Sequence, residues 1–164
     1  VAARPGSGDL GEWFEVENLG SCTIDLTGLT IESPGSSGTP ATHVVTSGRV
    51  APGELFVFAQ SGNAMENYGL PYDYVYGAGT TGVVFNNGAD SLKLRLGTIE
   101  IDRVEWTSPT DYRVGAARQL SSTASPLSNQ DIGGSAFCDA TDVYANVDGE
   151  PLRGTPGMPQ RPCP

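Results

Sequence analysis

The chain has 164 residues, 38% of them hydrophobic, and its 22 glycines and 12 prolines together make up about a fifth of the total. This length is typical of one domain with its own core, and abundant turn-forming residues between short apolar runs predict an all-β fold. The net charge of −10 argues against a nucleic-acid duplex or a membrane phosphate surface as partner, and no apolar run approaches the ~20 residues of a membrane span.

The beginning of the chain carries no signal peptide, and its first residue is Val1 rather than methionine. We therefore expect a processed or excised N-terminus.

The first predicted strand covers residues 12–17, where apolar and acidic side chains alternate. Phe14 and Val16 share one face, and Glu15 and Glu17 share the other. Trp13 lies on the glutamate side, so we expect a loop or the C-terminal tail to cover it.

Further short strands follow along the chain. Residues 23–26 and 29–32 are strand pieces interrupted at Thr27-Gly28, and residues 55–59 form an apolar run typical of a central strand. Residues 72–76 are predicted to form an edge strand.

A late hairpin is the clearest local prediction. In residues 91–96 the leucines alternate with polar side chains, and Gly97-Thr98 suits a type II′ turn. In the return strand, residues 99–106, Ile101 and Val104 are both expected to face inward. Because they are three residues apart, the strict alternation of faces is broken between them, which predicts a bulge at Asp102-Arg103.

The whole chain, residues 1–164, is predicted to be one immunoglobulin-like β-sandwich domain with a core at 11–106 and a loop-rich tail at 107–164. Phe137 and Tyr144 are the expected apolar anchors of that tail.

The three cysteines leave more than one pairing open. A bridge between Cys138 and Cys163 would close a loop of about 25 residues, worth ~3 kcal/mol, and would suit an oxidising compartment. Cys22 would then be either buried and inert or paired with another chain; alternatively, it pairs with one of the other two. Without a CxxC pair and with His43 as the single histidine, a structural zinc site is poorly supplied.

Candidate sites are few. His43 lies in no GxSxG or HExxH arrangement, so we predict no catalytic residues and no enzyme. The sequence from Asn146 to Glu150 resembles part of a calcium loop but fails at two ligand positions, Tyr144 and Thr155. The remaining cofactor hypothesis is an irregular calcium site, and its candidate ligands are Asp139, Asp142, Asp148 and Glu150; the alternative is a hydrated acidic loop.

A tyrosine stripe is the candidate ligand-binding surface. Tyr72, Tyr74 and Tyr76 share one face if residues 72–76 form a strand, where they would stack on sugars or bind a protein. The alternative is packing within the fold. Trp106 is expected in the core.

Several ordered segments resemble the lamin tail domain family. Residues 11–18 (GEWFEVEN) resemble the GEW-[IF]-E-[LV]-x-N strand of that family, and residues 25–29 (DLTGL) its D-L-[ST]-G-[WL] step. Residues 50–55 (VAPGEL) resemble its proline-glycine turn and next strand. Residues 87–94 (NGADSLKL) and 101–104 (IDRV) resemble its late hairpin.

The tail resembles that of bacterial secreted versions of the domain. The matching segments are residues 115–120 (GAARQL), 137–141 (FCDAT) and 154–157 (GTPG), with Cys163 near the end. The resemblance implies an immunoglobulin-like sandwich on secreted or cell-surface proteins, a pairing of the two tail cysteines, and no catalytic residues.

One departure from the family bears on function. Family members open with an apolar strand before the GEW segment, whereas here only Val1-Ala2-Ala3 precede the loop at residues 4–10. Either that strand was removed or the sandwich lacks an edge strand, and an open edge can accept a strand from another chain.

The functional expectation is a non-catalytic extracellular or cell-surface module that binds a protein or a glycan, as in adhesion. One alternative is a structural subunit of an extracellular assembly or filament that uses the open edge and Cys22. A second alternative is a calcium-binding surface domain.

Overall fold

The computed structural model describes residues 10–34, 40–77, 82–86, 88–107, 111 and 113–163. The fold is all-β, as predicted: within these ranges the other regular elements are one helical turn, α1 (Ala64–Asn67), and one 3-10 turn (Pro126–Ser128). The strands, in chain order, are β1 (Trp13–Glu17), β2 (Ile24–Asp25), β3 (Leu29–Ser33), β4 (Ala41–Val44), β5 (Arg49–Val50), β6 (Leu55–Ala59), β7 (Tyr74–Val75), β8 (Asp90–Leu96), β9 (Ile99–Trp106), β10 (Arg118–Leu120), β11 (Phe137–Asp139), β12 (Val143–Val147) and β13 (Glu150–Arg153).

The first sheet has the strand order β1-β6-β7. β1 is antiparallel to β6, with Trp13 opposite Ala59 and Glu17 opposite Leu55, and β7 runs parallel to β6. β6 is apolar along its whole length because both of its faces are covered. The predictions of a central strand and of an edge strand are thus confirmed, although the edge strand is shorter than expected.

The second sheet has the strand order β4-β3-β8-β9. The leucine alternation of β8 holds, since Leu92 and Leu94 are buried, and the two-residue turn is confirmed because Leu96 pairs with Ile99. Gly97 there has φ +60, which glycine adopts without strain.

The predicted position of the bulge in β9 is wrong. Asp102 remains paired opposite Leu94, and Glu100 lies opposite Arg95, so the extra residue is Ile101. The prediction assumed that Ile101 points inward, but its side chain is exposed.

Both sheets contribute to one hydrophobic core. The ring of Phe14 stacks on that of Phe58 with centroids 4.7 Å apart, and Phe85 meets Trp106 edge-on at 5.9 Å. The indole Nε1 of Trp106 donates to the Asn86 carbonyl at 2.8 Å, so this tryptophan is buried with its polar atom bonded. The core position predicted for it is confirmed.

The tail covers the opposite face of the first sheet. β10 pairs with β11, and β12 pairs with β13. Trp13 is only 3% exposed and packs in a second cluster whose other members are Val57, Ala59, Leu70, Ala117, Ala140 and, at its margin, Tyr144. The expectation that the tail covers Trp13 is confirmed, and Phe137 and Tyr144 both serve as anchors.

A disulfide joins Cys138 to Cys163, with Cα atoms 5.7 Å apart, and Cys22 is free and exposed. One of the pairings left open by the sequence is thus confirmed. The bond joins Cys163 to β11, and Cys163 also donates its N–H to the hydroxyl of Ser121, which directly follows β10, at 3.1 Å.

None of the helical structure in the described ranges is long and apolar enough to cross a membrane.

Candidate functional site: a groove beside the first strand

One lateral side of the two main sheets is closed by side-chain contacts between β4 and β7. His43 Nε2 lies 2.9 Å from the Tyr74 hydroxyl, which also accepts the N–H of Thr46 at 3.1 Å. Burial lowers the pKa of His43 below its ordinary 6.5. This histidine therefore links two sheet edges.

The opposite side contains a groove of about 600 Å³ between β1 and β9. Its size is in the ordinary range for ligand sites. β10 and the segment around the 3-10 turn complete its walls. Its apolar floor consists of Phe14, Val16, Leu92, Leu94, Val104 and Ile132.

β1 turns one row of backbone groups toward this groove. The Glu12 carbonyl accepts the Gln60 N–H at 2.8 Å, and Asn18 donates its N–H to Glu54 at 3.1 Å. Since hydrogen-bonded positions alternate along an antiparallel pair, Trp13, Glu15 and Glu17 direct their N–H and C=O groups away from β6. No residue in the described ranges forms a backbone hydrogen bond with these groups.

β9 forms the other wall, and its edge is partly covered. Glu105 donates to the Gln130 carbonyl at 2.8 Å and accepts from Ile132 at 2.9 Å, which closes the end of the strand. Nearer the bulge, Asn129 donates to both carboxylate oxygens of Asp102, at 2.8 and 2.9 Å.

The rim of the groove bears exposed apolar side chains. Leu19, Ile101 and Leu127 line it and are 64%, 57% and 89% exposed. Single exposed apolar residues are ordinary, but three around one concave surface make this groove a candidate binding region.

Glu15 lies where the groove meets the tail. Its carboxylate accepts the Gly157 N–H at 2.9 Å and a hydrogen bond from the Gln160 side chain. Burial raises the pKa of Glu15 from 4.5 to about 7, although the bonds from Gly157 and Gln160 act in the opposite direction. Near neutral pH this carboxyl can gain or lose a proton.

The cations of the groove are already paired with acids. Arg103 contacts Glu100 at 3.7 Å and Glu105 at 3.3 Å. Arg118 contacts Asp139 at 3.1 Å and donates to the carbonyls of Ile132 and Phe137. Glu15 and Glu17 have no such partner among the residues with described positions, so the groove is acidic along β1.

The predicted calcium ligands lie in different surroundings. Asp139 pairs with Arg118, and Asp142 pairs with Arg161 at 2.7 Å. Asp148 occupies the β12–β13 turn with φ +52, and Glu150 is exposed on β13. The described ranges hold no group of three or more His, Cys, Asp or Glu side chains suited to a metal ion. The calcium site stays a prediction to which this geometry adds no support.

The three tyrosines differ in exposure. Tyr76 is fully buried among Phe14 and Phe85, Tyr74 is half-buried, and Tyr72 is 42% exposed. They do not form one exposed stripe, because Tyr76 lies in the core and Tyr74 packs against it beside Phe58.

The groove itself was not predicted, although the sequence contained one signal for it. Glu15 shares a strand face with Trp13, and a tail that covers the tryptophan also buries the carboxyl. The contributions of β9 and β10 depend on contacts between residues far apart in sequence, which no local pattern encodes.

A scan against protein-family models finds no match for this chain, and searches of the curated proteins and of the solved structures find none either.

Proposed function

We propose that this protein is a non-catalytic, secreted or cell-surface module that binds an extended polypeptide segment as an added strand beside β1. The main support for this proposal is that the N–H and C=O groups of Trp13, Glu15 and Glu17, which point away from β6, border a groove of about 600 Å³. Edge strands with such groups accept strands of other chains, and main-chain hydrogen bonds then supply affinity.

The dimensions and surfaces fit a strand. β1 has five residues, which corresponds to a length of roughly 16 Å. Alternate side chains of an added strand would face the apolar floor at Val16 and Val104, while the exposed Leu19 and Leu127 flank it. An extended peptide would pair its backbone with the outward groups of β1 and place alternate side chains on the apolar floor.

A protein partner is favoured over a glycan. Sugar recognition relies on exposed aromatic faces, and of the candidate tyrosines Tyr76 is buried and Tyr74 is bonded to His43. Self-assembly, in which a second copy supplies the strand, uses the same edge and is a distinguishable outcome of the test below.

The disulfide and the resemblance of the sequence support the proposed secreted or cell-surface setting. The Cys138–Cys163 bond is typical of oxidising compartments. We further propose that the two main sheets form an immunoglobulin-like sandwich of the lamin tail type. This proposal is supported by the single hydrophobic core that the two sheets share.

A proline scan of the two sheet edges tests the function. Glu17→Pro removes a backbone N–H that faces the groove. Thr42→Pro on the edge strand β4 is the matched control. Since Val45 bonds to Leu29 of β3, the backbone N–H of Thr42 points away from β3, and its loss breaks no bond within the sheet. The probe is a displayed library of nine-residue segments, selected on the intact chain.

We expect enriched segments that the Thr42→Pro variant binds and the Glu17→Pro variant does not. Enrichment of nothing, or equal binding by both variants, would contradict the proposal. Concentration-dependent self-association that Glu17→Pro abolishes would identify a second copy as the donor of the strand.

A further inference from the structure

We infer that the groove selects a strand with a basic residue, Lys or Arg, beside Glu15 and apolar residues on either side of it. This inference rests on the proposed strand binding and deepens it by naming the chemistry of the partner. It concerns Glu15, which lies partly under the tail and whose carboxylate is held by the neutral donors Gly157 N–H and Gln160.

The position of the basic residue follows from strand register. Residues opposite each other in neighbouring strands place their side chains on the same face of the sheet, about 5 Å apart. A residue opposite Glu15 therefore lies near its carboxylate, and its two neighbours face the side of Phe14 and Val16.

The surrounding charges favour a cation at this position. On β1, Glu17 stands on the same face as Glu15 and raises its pKa further. On β9, Asp102 and Glu100 line the groove, and Arg103 is shared between Glu100 and Glu105. This wall adds no uncommitted cation.

The other two elements beside Glu15 do not supply a cation either. On β10, Arg118 is bound to Asp139, and residues 155–160 of the tail contain no charged side chain. Arg161, the next residue along, pairs with Asp142 at 2.7 Å. The positive charge of the amino terminus lowers the pKa of Glu15, but no described Lys or Arg side chain pairs with its carboxylate. A basic side chain from a partner would thus be the first side-chain cation paired with Glu15 among the described residues.

Binding of such a residue is coupled to a proton. A nearby cation favours the ionised carboxyl, so the strand binds the deprotonated form and displaces the proton from Glu15. Because the carboxyl titrates near neutrality, affinity for a basic strand should rise by about tenfold from about pH 5.5 to about pH 8.

The test uses three synthetic peptides of sequence Ser-Thr-Val-Xaa-Val-Thr-Ser, with blocked ends and Lys, Gln or Glu at the variable position. Affinity for the intact chain is measured by calorimetry at both pH values. We expect the Lys peptide to bind about tenfold more tightly than the Gln peptide at the higher pH, and the Glu peptide to bind least.

Two protein variants test whether the preference for the Lys peptide arises from Glu15. Glu15→Gln should remove the Lys preference and the pH dependence while it retains the Gln peptide. Glu150→Gln is the matched control, since it changes the net charge equally on the exposed strand β13, and it should behave as the unmodified chain.

The outcomes separate the two proposals. Equal affinity for the Lys and Gln peptides, or a Lys preference that persists in Glu15→Gln, overturns the selectivity and leaves strand binding intact. Failure of all three peptides, together with an empty library selection, overturns both.

Discussion

Replacing Glu15 with glutamine changes one oxygen to an NH₂ group at the contact between β1 and the tail. In the folded protein burial raises the pKa of this carboxyl to about 7, against 4.5 for an exposed glutamate. The folded state therefore holds the proton more tightly than the unfolded state, and the free energy of unfolding falls as pH rises from about 4.5 through 7. Above that window the loss is on the order of 3 kcal/mol.

Glu15→Gln mimics the protonated side chain at every pH. At about pH 3.5 the variant and the unmodified protein should have similar free energies of unfolding, since the carboxyl is almost fully protonated there in both the folded and the unfolded state. At about pH 8 the variant should be more stable by about 2–3 kcal/mol. Urea unfolding under non-reducing conditions, followed by the fluorescence of Trp13 and Trp106, measures both values.

Glu17→Gln is the control, because Glu17 lies on the same strand face but is exposed. It should change the free energy of unfolding by no more than about 0.5 kcal/mol at either pH. If Glu15→Gln were less stable than the unmodified protein at about pH 8, the ionised carboxylate would be a net stabiliser, and the account of its burial would be refuted.

Three further substitutions test the packing. Cys163→Ser should lower the free energy of unfolding by about 3 kcal/mol, and reductant should then have no additional effect on its melting temperature. Gly154→Ala would place a Cβ 2.7 Å from the Trp13 ring and should destabilise by about 1–3 kcal/mol in urea unfolding; a neutral result would contradict the close packing of the tail. Tyr74→Phe removes the bonds to His43 and to the Thr46 N–H and should cost about 1–2 kcal/mol, and a double-mutant cycle with His43→Phe should show coupling if the contact exists.

Local patterns predicted the strands well where a single face is buried. The leucines of β8 alternate, and the short Gly97-Thr98 turn fixes the register of the hairpin, so both could be read from adjacent residues. The bulge was misplaced because Ile101 is apolar yet exposed, and apolar identity alone does not show which face a residue occupies.

The groove could not be predicted because it is defined by long-range contacts. Glu15 is bonded to Gly157 and Gln160, more than 140 positions along the chain, and its pKa depends on the burial that results. For the tyrosines the sequence left an exposed surface and packing within the fold both open. Tyr76 packs within the fold because its ring contacts Phe14, which is far from it in sequence.

Amide hydrogen exchange along β1, with and without the Lys peptide, tests the central claim most directly. An added strand should slow exchange of the outward-facing amides of Trp13, Glu15 and Glu17, while the amides of Thr42 and Val44 on the far edge keep their rates. Saturating peptide that leaves the β1 amides unchanged, or that protects the β4 edge instead, would contradict strand addition at this groove.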